Sequence, residues 1–250
     1  MAPDVVSGTA APLLGEPLPV ELMNTVWADR DGLHDELRDA AGLAAWLQAV
    51  AGRFTAGDPG RGAAGGPGGP DGPGGADGAG RGPGLAVVLP GGRPGRELAG
   101  QFRELRDGLR GLAAAVTADP RARAAGTGTP DVTAAVRAVN AACARAPLWS
   151  RLTWAAPPGA PARTLRSAGT GPEAALSWIA EEAVLLFTSP DAGRLRACAG
   201  PGCVLYFVRA HPRREWCSAV CGNRARVARH YQRHRPGANQ SRPDTPGSQD

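Results

Sequence analysis

Two things are absent from this sequence: lysine, and any long run of apolar residues. A transmembrane helix needs about 20 consecutive apolar residues, and no stretch of the chain approaches that length. The first 20 residues have neither a basic segment nor a continuous apolar segment, which argues against a secretory signal peptide. We therefore expect a cytoplasmic protein without membrane contact, in which all 28 basic residues are arginine.

Catalytic groups are also scarce. The 250 residues include only 4 histidines and 5 cysteines, and the acidic residues are scattered along the chain. Enzyme sites bring a nucleophile, a base and an orienting group together, and no such pattern is visible, so we expect no enzymatic activity. Since clustered thiols in a reducing compartment are more often metal ligands than disulfides, the cysteines favour a metal site.

Glycine and proline are abundant but concentrated in one segment. Half of residues 57–84 are glycine, 14 of 28, and five are proline. Such a segment cannot bury enough apolar surface to offset the entropy that is lost on ordering. We expect a flexible insertion at 57–84 inside a folded domain at 17–190, with a disordered leader at 1–16 and a disordered tail at 236–250.

Apolar periodicity predicts a mainly helical domain at 17–190. Asp35 is the expected cap of its first long helix, and residues 148–167 are typical of two short strands joined in a hairpin. The helix that begins after Thr129-Pro130 should bury Cys143 as a small core residue rather than use it as a metal ligand. The predicted helices are, in chain order, a short turn containing Leu22, Val26 and Trp27, then 35–54, 95–118, one that begins after Thr129-Pro130 with Val132, Val136 and Val139 on its apolar face, and 172–189.

Four of the five cysteines form a cluster near the C-terminus. Cys198 and Cys203 give a C-x4-C pair, and after a thirteen-residue spacer Cys217 and Cys221 give a C-x3-C pair. Two such pairs are typical of a tetrahedral zinc site, because each supplies two sulfurs from one turn. We predict a structural zinc ion held by these four thiolates. The alternatives are His211 as a substitute ligand, or two redox disulfides.

The residues around the cysteines predict how each pair is held. Residues 204–208 should form a short strand, with Tyr206 or Phe207 covering the metal. Ser218 can cap a helix over 218–234. Cys217 then lies just before the helix and Cys221 one turn inside it, near backbone N–H groups that stabilise a thiolate.

The helix over 218–234 has two faces when it is laid out at about 100° per residue. We expect its apolar face to pack against the module and its basic face to point to solvent, where it can meet phosphates. The apolar face consists of Val220, Val227 and Tyr231, and the basic face of Arg226, Arg229, His230 and Arg233. Arg224 falls beside the packed face, so we expect it to support the metal site together with Asn223. Arg213 and Arg214 in the preceding turn are further candidate DNA contacts.

Charge is distributed unevenly along the chain. From Arg194 to Arg235 there are ten arginines against one acid, Glu215, a balance of +9. Residues 1–193 carry 17 arginines and 20 acids, a balance of −3. A compact basic module on a mildly acidic body is the pattern expected of a protein that binds a phosphate backbone.

The motif WCSAVCGNR resembles the signature of the CGNR zinc finger family, and CAGPGCVLYF is similar to that family's first cysteine pair and aromatic strand. In that family the finger follows an ABATE domain, described as a stress-induced transcription regulator. The segments VELMNTVW, with Asn24-Thr25, and AAGLAAWL resemble the opening of an ABATE domain. The chain departs from the finger pattern at Arg209, where an acid is usual.

These observations and the resemblance predict a mainly α (α+β) fold: a helical N-terminal domain with a small β-hairpin, and a treble-clef-like zinc finger at 194–235. The resemblance implies a bacterial, stress-related transcription regulator that binds DNA through its arginine-rich helix. A homodimer or a protein partner is compatible with this interpretation. The alternative is a zinc-stabilised protein-interaction module that does not contact DNA.

Overall fold

A computed structural model describes residues 11–54, 86–87, 92–121, 131–154 and 161–234. The predicted insertion at 57–84, the predicted tail at 236–250 and the Thr129-Pro130 helix start lie outside the described residues.

The described chain is mainly helical with three small sheets, which confirms the predicted fold class. None of its helices is both long and apolar enough to cross a bilayer. The elements are α1 (Leu18–Met23), β1 (Val26–Asp29), β2 (Gly32–Asp35), α2 (Ala40–Ala49), β3 (Ala86–Val87), α3 (Arg96–Thr117), α4 (Val132–Arg145), β4 (Leu148–Trp154), β5 (Pro161–Ser167), α5 (Gly171–Thr188), β6 (Leu195–Ala197), β7 (Tyr206–Val208) and α6 (Ala219–Arg233).

The predicted helix over 35–54 is wrong at its start, because a hairpin precedes it. β1 pairs antiparallel with β2, and Gly32 follows the tight turn with a φ of 127° that favours glycine. Asp35 therefore ends β2 and accepts a hydrogen bond from Arg106 Nη1 at 2.5 Å instead of capping a helix. The cap of α2 is Asp39, whose carboxylate accepts a hydrogen bond from the Gly42 amide at 2.8 Å. The predicted helical turn also ends early, since Val26 and Trp27 lie in β1.

Helices α3, α4 and α5 form the body of the protein. The prediction of a helix over 95–118 is confirmed by α3. α4 follows Asp131, whose side chain caps it by accepting a hydrogen bond from the Ala134 amide. The prediction of its buried face is correct for Val139 and wrong for Val132 and Val136, which are exposed. Ala135 and Ala142 are buried beside Val139 instead. Small residues on that face allow α4 to approach Gly108 of α3, where an added Cβ would lie 3.3 Å from the Ala135 carbonyl oxygen.

The remaining helices and strands of the body agree with those predicted from the sequence. β4 and β5 form the predicted antiparallel hairpin, and β3 pairs parallel with β5 on its other edge. α5 begins with a capping box, in which Thr170 and Glu173 exchange hydrogen bonds, and it ends at Ser189. Cys143 is partly buried and packs against the main core.

β7 divides the two cores of the molecule. Because successive side chains of a strand point to opposite faces, Tyr206 and Val208 enter the main core with α1, α3 and α5, while Phe207 enters a second core made of the four clustered cysteines. β6 pairs antiparallel with β7 and places Leu195 in the main core. The C-terminal module is thus packed directly onto the helical body.

The predicted disordered leader extends too far. Glu16 is fully buried, and its neighbour Leu14 packs against the cysteine core. Two backbone amides, those of Leu14 and Glu16, donate to the Glu21 carboxylate and fix this segment against α1. The folded body therefore includes residues that sequence composition assigns to the leader.

Candidate metal centre

The first cysteine pair lies in the turn between β6 and β7. Cys198 directly follows β6, and its amide donates to the Leu205 carbonyl at 2.9 Å. The Cys203 amide donates to the Gly200 carbonyl at 2.9 Å, which closes the turn. Gly202 has a φ of 70°, so a larger residue would be strained there. Gly200 faces the second pair closely, because an added Cβ would lie 3.1 Å from the Cys221 Cβ.

The second pair lies at the start of α6, as the sequence predicts. The Ser218 hydroxyl accepts a hydrogen bond from the Cys221 amide at 3.3 Å and caps the helix. Cys217 precedes the helix and Cys221 lies in its first turn. Gly222 leaves room for Trp216, whose Cδ1 atom would be 3.0 Å from an added Cβ. The sequence therefore brings all four thiols to one place from two short turns.

The four sulfurs lie within 4.8 Å of one another, and all four cysteines are buried. The Sγ atoms of Cys203 and Cys217 are 3.8 Å apart, and those of Cys217 and Cys221 are 3.4 Å apart. A zinc ion with Zn–S bonds of about 2.3 Å has neighbouring sulfurs about 3.8 Å apart in a tetrahedron. The donor set and spacing therefore fit a tetrahedral metal ion. All the described cysteines are free thiols, and the compact cluster contains no histidine.

The electrostatics of the thiols also favour a cation. Hydrogen bonds from the Cys203 and Cys217 side chains lower the pKa of Cys198 to about 2. The complementary hydrogen bonds raise the pKa of Cys203 to about 12 and also raise that of Cys217. The opposite directions of these shifts follow from hydrogen bonds that the thiols share with one another. A bound Zn²⁺ ion would take the place of the shared protons and offset two of the four thiolate charges.

Arg224 supports the cluster, whereas Asn223 does not. The Arg224 Nη2 atom donates to the Cys221 sulfur at 3.1 Å, and this hydrogen bond raises the pKa of the guanidinium. The prediction that Arg224 serves the metal site agrees with this contact. Asn223 is exposed, and its side-chain oxygen accepts a hydrogen bond from Arg226 instead of reaching the cysteine turns. The prediction of a supporting role for Asn223 is therefore wrong.

Arg214 is only partly exposed, and its contacts inside the protein do not favour its predicted role in DNA contact. Its guanidinium donates to the carbonyls of Val208 and Cys217 at 3.1 and 3.0 Å, and to the Glu16 carboxylate at 2.5 Å. It also lies over the Phe207 ring, 4.9 Å from the centroid. Each nitrogen of the guanidinium therefore has a partner inside the protein. Its neighbour Arg213 is exposed.

Phe207 is the aromatic residue that covers the cysteines, while Tyr206 has a different role. Tyr206 points into the body, where its hydroxyl donates to Asp119 at 2.8 Å. Arg110 and Arg121 lie on its ring at 5.3 and 5.1 Å from the centroid. Burial and the neighbouring Asp119 raise the pKa of Tyr206 to about 12.

Arg121 connects the body directly to the first cysteine pair. It donates to the carbonyl oxygens of Cys198 and Cys203 at 3.2 and 2.7 Å, while Asp119 accepts a bidentate pair from its guanidinium. Burial acts to raise the pKa of Asp119, but the hydrogen bonds from Arg121 and Tyr206 outweigh it and lower that pKa. Sequence reasoning misses this contact, because nothing local to Arg121 marks it as a partner of a turn 77 residues away.

The free edge of β7 is closed by two side chains of the N-terminal segment. The Asn24 amide donates to the Tyr206 carbonyl and accepts from the Tyr206 amide, both at 2.9 Å. The Glu16 carboxylate accepts a hydrogen bond from the Val208 amide at 2.9 Å. Together they complete the hydrogen bonding that a third strand would otherwise supply. The sequence marks Asn24 only as part of a family motif and does not indicate this structural role.

α6 beyond its first turns projects from the module. Its buried residues are Cys221, Gly222 and Ala225, and Arg229 lies over the Trp216 ring at 5.5 Å. The predicted basic residues Arg226, Arg229 and Arg233 are exposed, as expected. The predicted packing of Val220, Val227 and Tyr231 is wrong, because all three are exposed. The cysteines and small residues, rather than the apolar stripe, decide which face packs.

These features define a helical protein that carries a four-thiol, metal-binding finger at its C-terminal end. Comparison with protein families matches residues 194–234 to the CGNR zinc finger. Residues 16–190 match the ABATE model, whose description reads "Putative stress-induced transcription regulator". Since that match covers more than half of the chain, the protein belongs to the ABATE family. Neither matched family is an enzyme family. A comparison with curated proteins found no match.

Proposed function

We propose that this protein is a DNA-binding transcription regulator, and that its finger holds one zinc ion through Cys198, Cys203, Cys217 and Cys221. When bound, the zinc would supply a structural crosslink between the β6–β7 turn and the start of α6. Four thiolate ligands leave no open position for substrate. The membership of a regulator family and the zinc finger match support this assignment.

A single observation supports DNA binding most directly: among the described residues, Arg226 and Arg233 on the outer face of α6 have no hydrogen-bonding partner outside that helix, while several other arginines of the finger donate to groups inside the protein. Arg194, Arg214 and Arg224 each donate to partners inside the protein. In contrast, Arg226 and Arg233 are exposed and contact only neighbours on α6. Arginines that fold the finger cannot also neutralise phosphates, so the outer face of α6 is the part available to a nucleic acid.

The proposed zinc binding and the proposed DNA binding use different parts of the finger. The inner part anchors the helix, since Arg121 and Arg214 donate to the backbone of both cysteine pairs. The outer part presents a rigid cationic helix, to which exposed Arg213 in the preceding turn adds charge. Affinity would come mainly from phosphate contacts and would fall steeply with salt.

The test is a fluorescence polarisation titration of the full chain against duplex DNA at two salt concentrations. We expect the triple variant Arg226→Ala, Arg229→Ala, Arg233→Ala to bind much more weakly and to show a smaller salt dependence, by about 0.9 in the log–log slope for each phosphate that the variant no longer neutralises. The matched control replaces three exposed body arginines, Arg30, Arg38 and Arg151, and should bind like the parent. Equal weakening in both variants, or no binding by the parent, would contradict the proposal.

The second candidate is a zinc-stabilised protein-interaction module, and the observation that favours it is the exposed apolar stripe on α6. In that case the finger would form a complex with an acidic protein partner that survives nuclease treatment. The same triple arginine variant would weaken that complex, but the parent would show no affinity for duplex DNA.

A further inference from the structure

α6 exposes apolar residues on a helix whose inner face is already packed. Val220, Val227 and Tyr231 are 56%, 54% and 72% exposed. At about 100° per residue they fall within about 40° of one another, so they form one stripe along the helix. No described element covers them, and the core of the finger is complete without them. Within the described part of the chain, the stripe is therefore free to meet another surface.

A basic edge, formed by Arg226 and Arg233, lies on one flank of α6, well around the helix from this apolar stripe. Arg226 and Arg233 lie roughly 120° to 140° around the helix from the centre of the stripe. The sequence of α6 from Ala219 to Arg233 contains no acidic residue. An occupant of the outer face must therefore offer apolar groups to the stripe and anionic groups on one flank of the helix.

A second copy of this chain does not meet that description. Stable protein interfaces bury roughly 800 Å² from each partner, and three side chains on a projecting helix supply only a small part of that. Two copies of α6 would also pair two helices that each carry four arginines and no acidic residue, and like charges repel. Duplex DNA has the complementary charge.

We infer that α6 lies lengthwise in the major groove of DNA, with Val220, Val227 and Tyr231 facing the base edges while Arg226 and Arg233 reach the phosphates of one strand. The groove is about 12 Å wide and admits a helix with its side chains. Thymine presents a C5-methyl group there, which is the apolar partner that valine can recognise. This inference rests on the proposed DNA binding and adds that the stripe selects thymine-containing sites.

The experiment begins with selection of sites from a random duplex pool by the zinc-loaded full chain. The selected site is then titrated with its thymines intact and with each replaced by deoxyuridine, which lacks only the methyl group. We expect the parent to bind more weakly at specific positions, by about fourfold for each methyl group that the stripe touches. We expect Val227→Ser to weaken binding to the thymine site, and to remove the penalty for deoxyuridine at the position it contacts.

Two controls separate this inference from DNA binding in general. Val116→Ser changes an exposed valine of α3 in the same way and should leave the thymine preference intact. The triple arginine variant should weaken binding to every sequence. If the parent binds duplex DNA but deoxyuridine and Val227→Ser have no effect, the groove assignment is overturned while the proposed function stands. If the parent binds no duplex, both the groove assignment and its premise are overturned. If Val227→Ser dissociates a dimer, the stripe is a contact between copies and the groove assignment alone is overturned.

Discussion

The finger has an embedded end at β7 and a projecting end at α6, and the two are held in place by different contacts. β7 is enclosed on both faces and along its free edge, with Asn24 and Glu16 completing its backbone hydrogen bonds. α6 is held only through its first turns, and its outer face meets no other described element. The difference shows that one small module can contribute both to the core of the body and to an exposed surface.

The largest effect should come from removing the one feature that both ends share, the thiol cluster. In Cys217→Ser we expect metal content to fall from about one zinc per chain to none, with loss of structure in the finger, because binding of a structural zinc is itself folding free energy. Metal analysis combined with limited proteolysis measures both. Cys143→Ser, which changes a partly buried thiol of the body, is the control and should keep its metal. Metal retained in Cys217→Ser would remove this ligand from the proposed set.

A smaller effect should come from opening the edge of β7. Asn24→Ala removes two buried hydrogen bonds and leaves the Tyr206 amide and carbonyl without their partner. We expect the free energy of unfolding to fall by about 2–4 kcal/mol, as measured by chemical denaturation of the zinc-loaded protein. Asn140→Ala on the exposed side of α4 is the matched control. If both variants were equally stable, the edge hydrogen bonds would not hold the finger to the body.

The helical body that holds the embedded end should also respond to pH, because Glu182 lies on α5. Burial raises the pKa of Glu182 to about 7, and it also raises those of Glu16 and Glu21. Because the folded pKa lies above the unfolded one, Glu182 favours the folded state at low pH, and this contribution is lost as pH rises from about 4.5 to 7.

Glu182→Gln isolates this contribution, since the amide cannot ionise. We expect the variant to gain stability relative to the parent as pH rises from 5 to 8, by on the order of 1–3 kcal/mol. Denaturation at pH 5 and pH 8 gives the difference. Glu181→Gln, at the exposed neighbouring position, should change little. A pH-independent difference between Glu182→Gln and the parent would exclude the buried carboxyl as its source.

The smallest effect should be found on the projecting end. Val227→Ser changes an exposed residue and should alter the free energy of unfolding by no more than about 0.5 kcal/mol. The same substitution in β7, Val208→Ser, buries a hydroxyl in the main core and should cost about 2–3 kcal/mol. Thermal denaturation of the two variants compares the ends directly. Equal destabilisation would mean that α6 packs more fully than its exposure indicates.

Local spacing is sufficient to predict the cysteine cluster and its two turns. The distances between Cys198, Cys203, Cys217 and Cys221 along the chain leave few ways to arrange them, and Ser218 marks the helix start chemically. The prediction of the outer helix face fails for a physical reason. Apolar periodicity assumes that apolar residues pack, whereas α6 is anchored by thiols, Gly222 and Ala225.

Long-range contacts could not be predicted from the sequence. Asn24 meets Tyr206 across 182 residues and Glu16 meets Arg214 across 198. A single sequence contains no signal that relates such positions. The early hairpin at Gly32 escapes prediction for a different reason, because the apolar pattern beyond it resembles one continuous helix and outweighs the turn residues.

The two-faced arrangement of β7 has a consequence for how this finger could be inherited. A finger that recombines freely among genes must carry its own complete core. Here Tyr206 and Val208 belong to the body, while Phe207 belongs to the finger. Moving the finger to an unrelated chain would leave two apolar side chains and one strand edge uncovered. The finger and the helical body are therefore constrained to change together, as a single unit of selection.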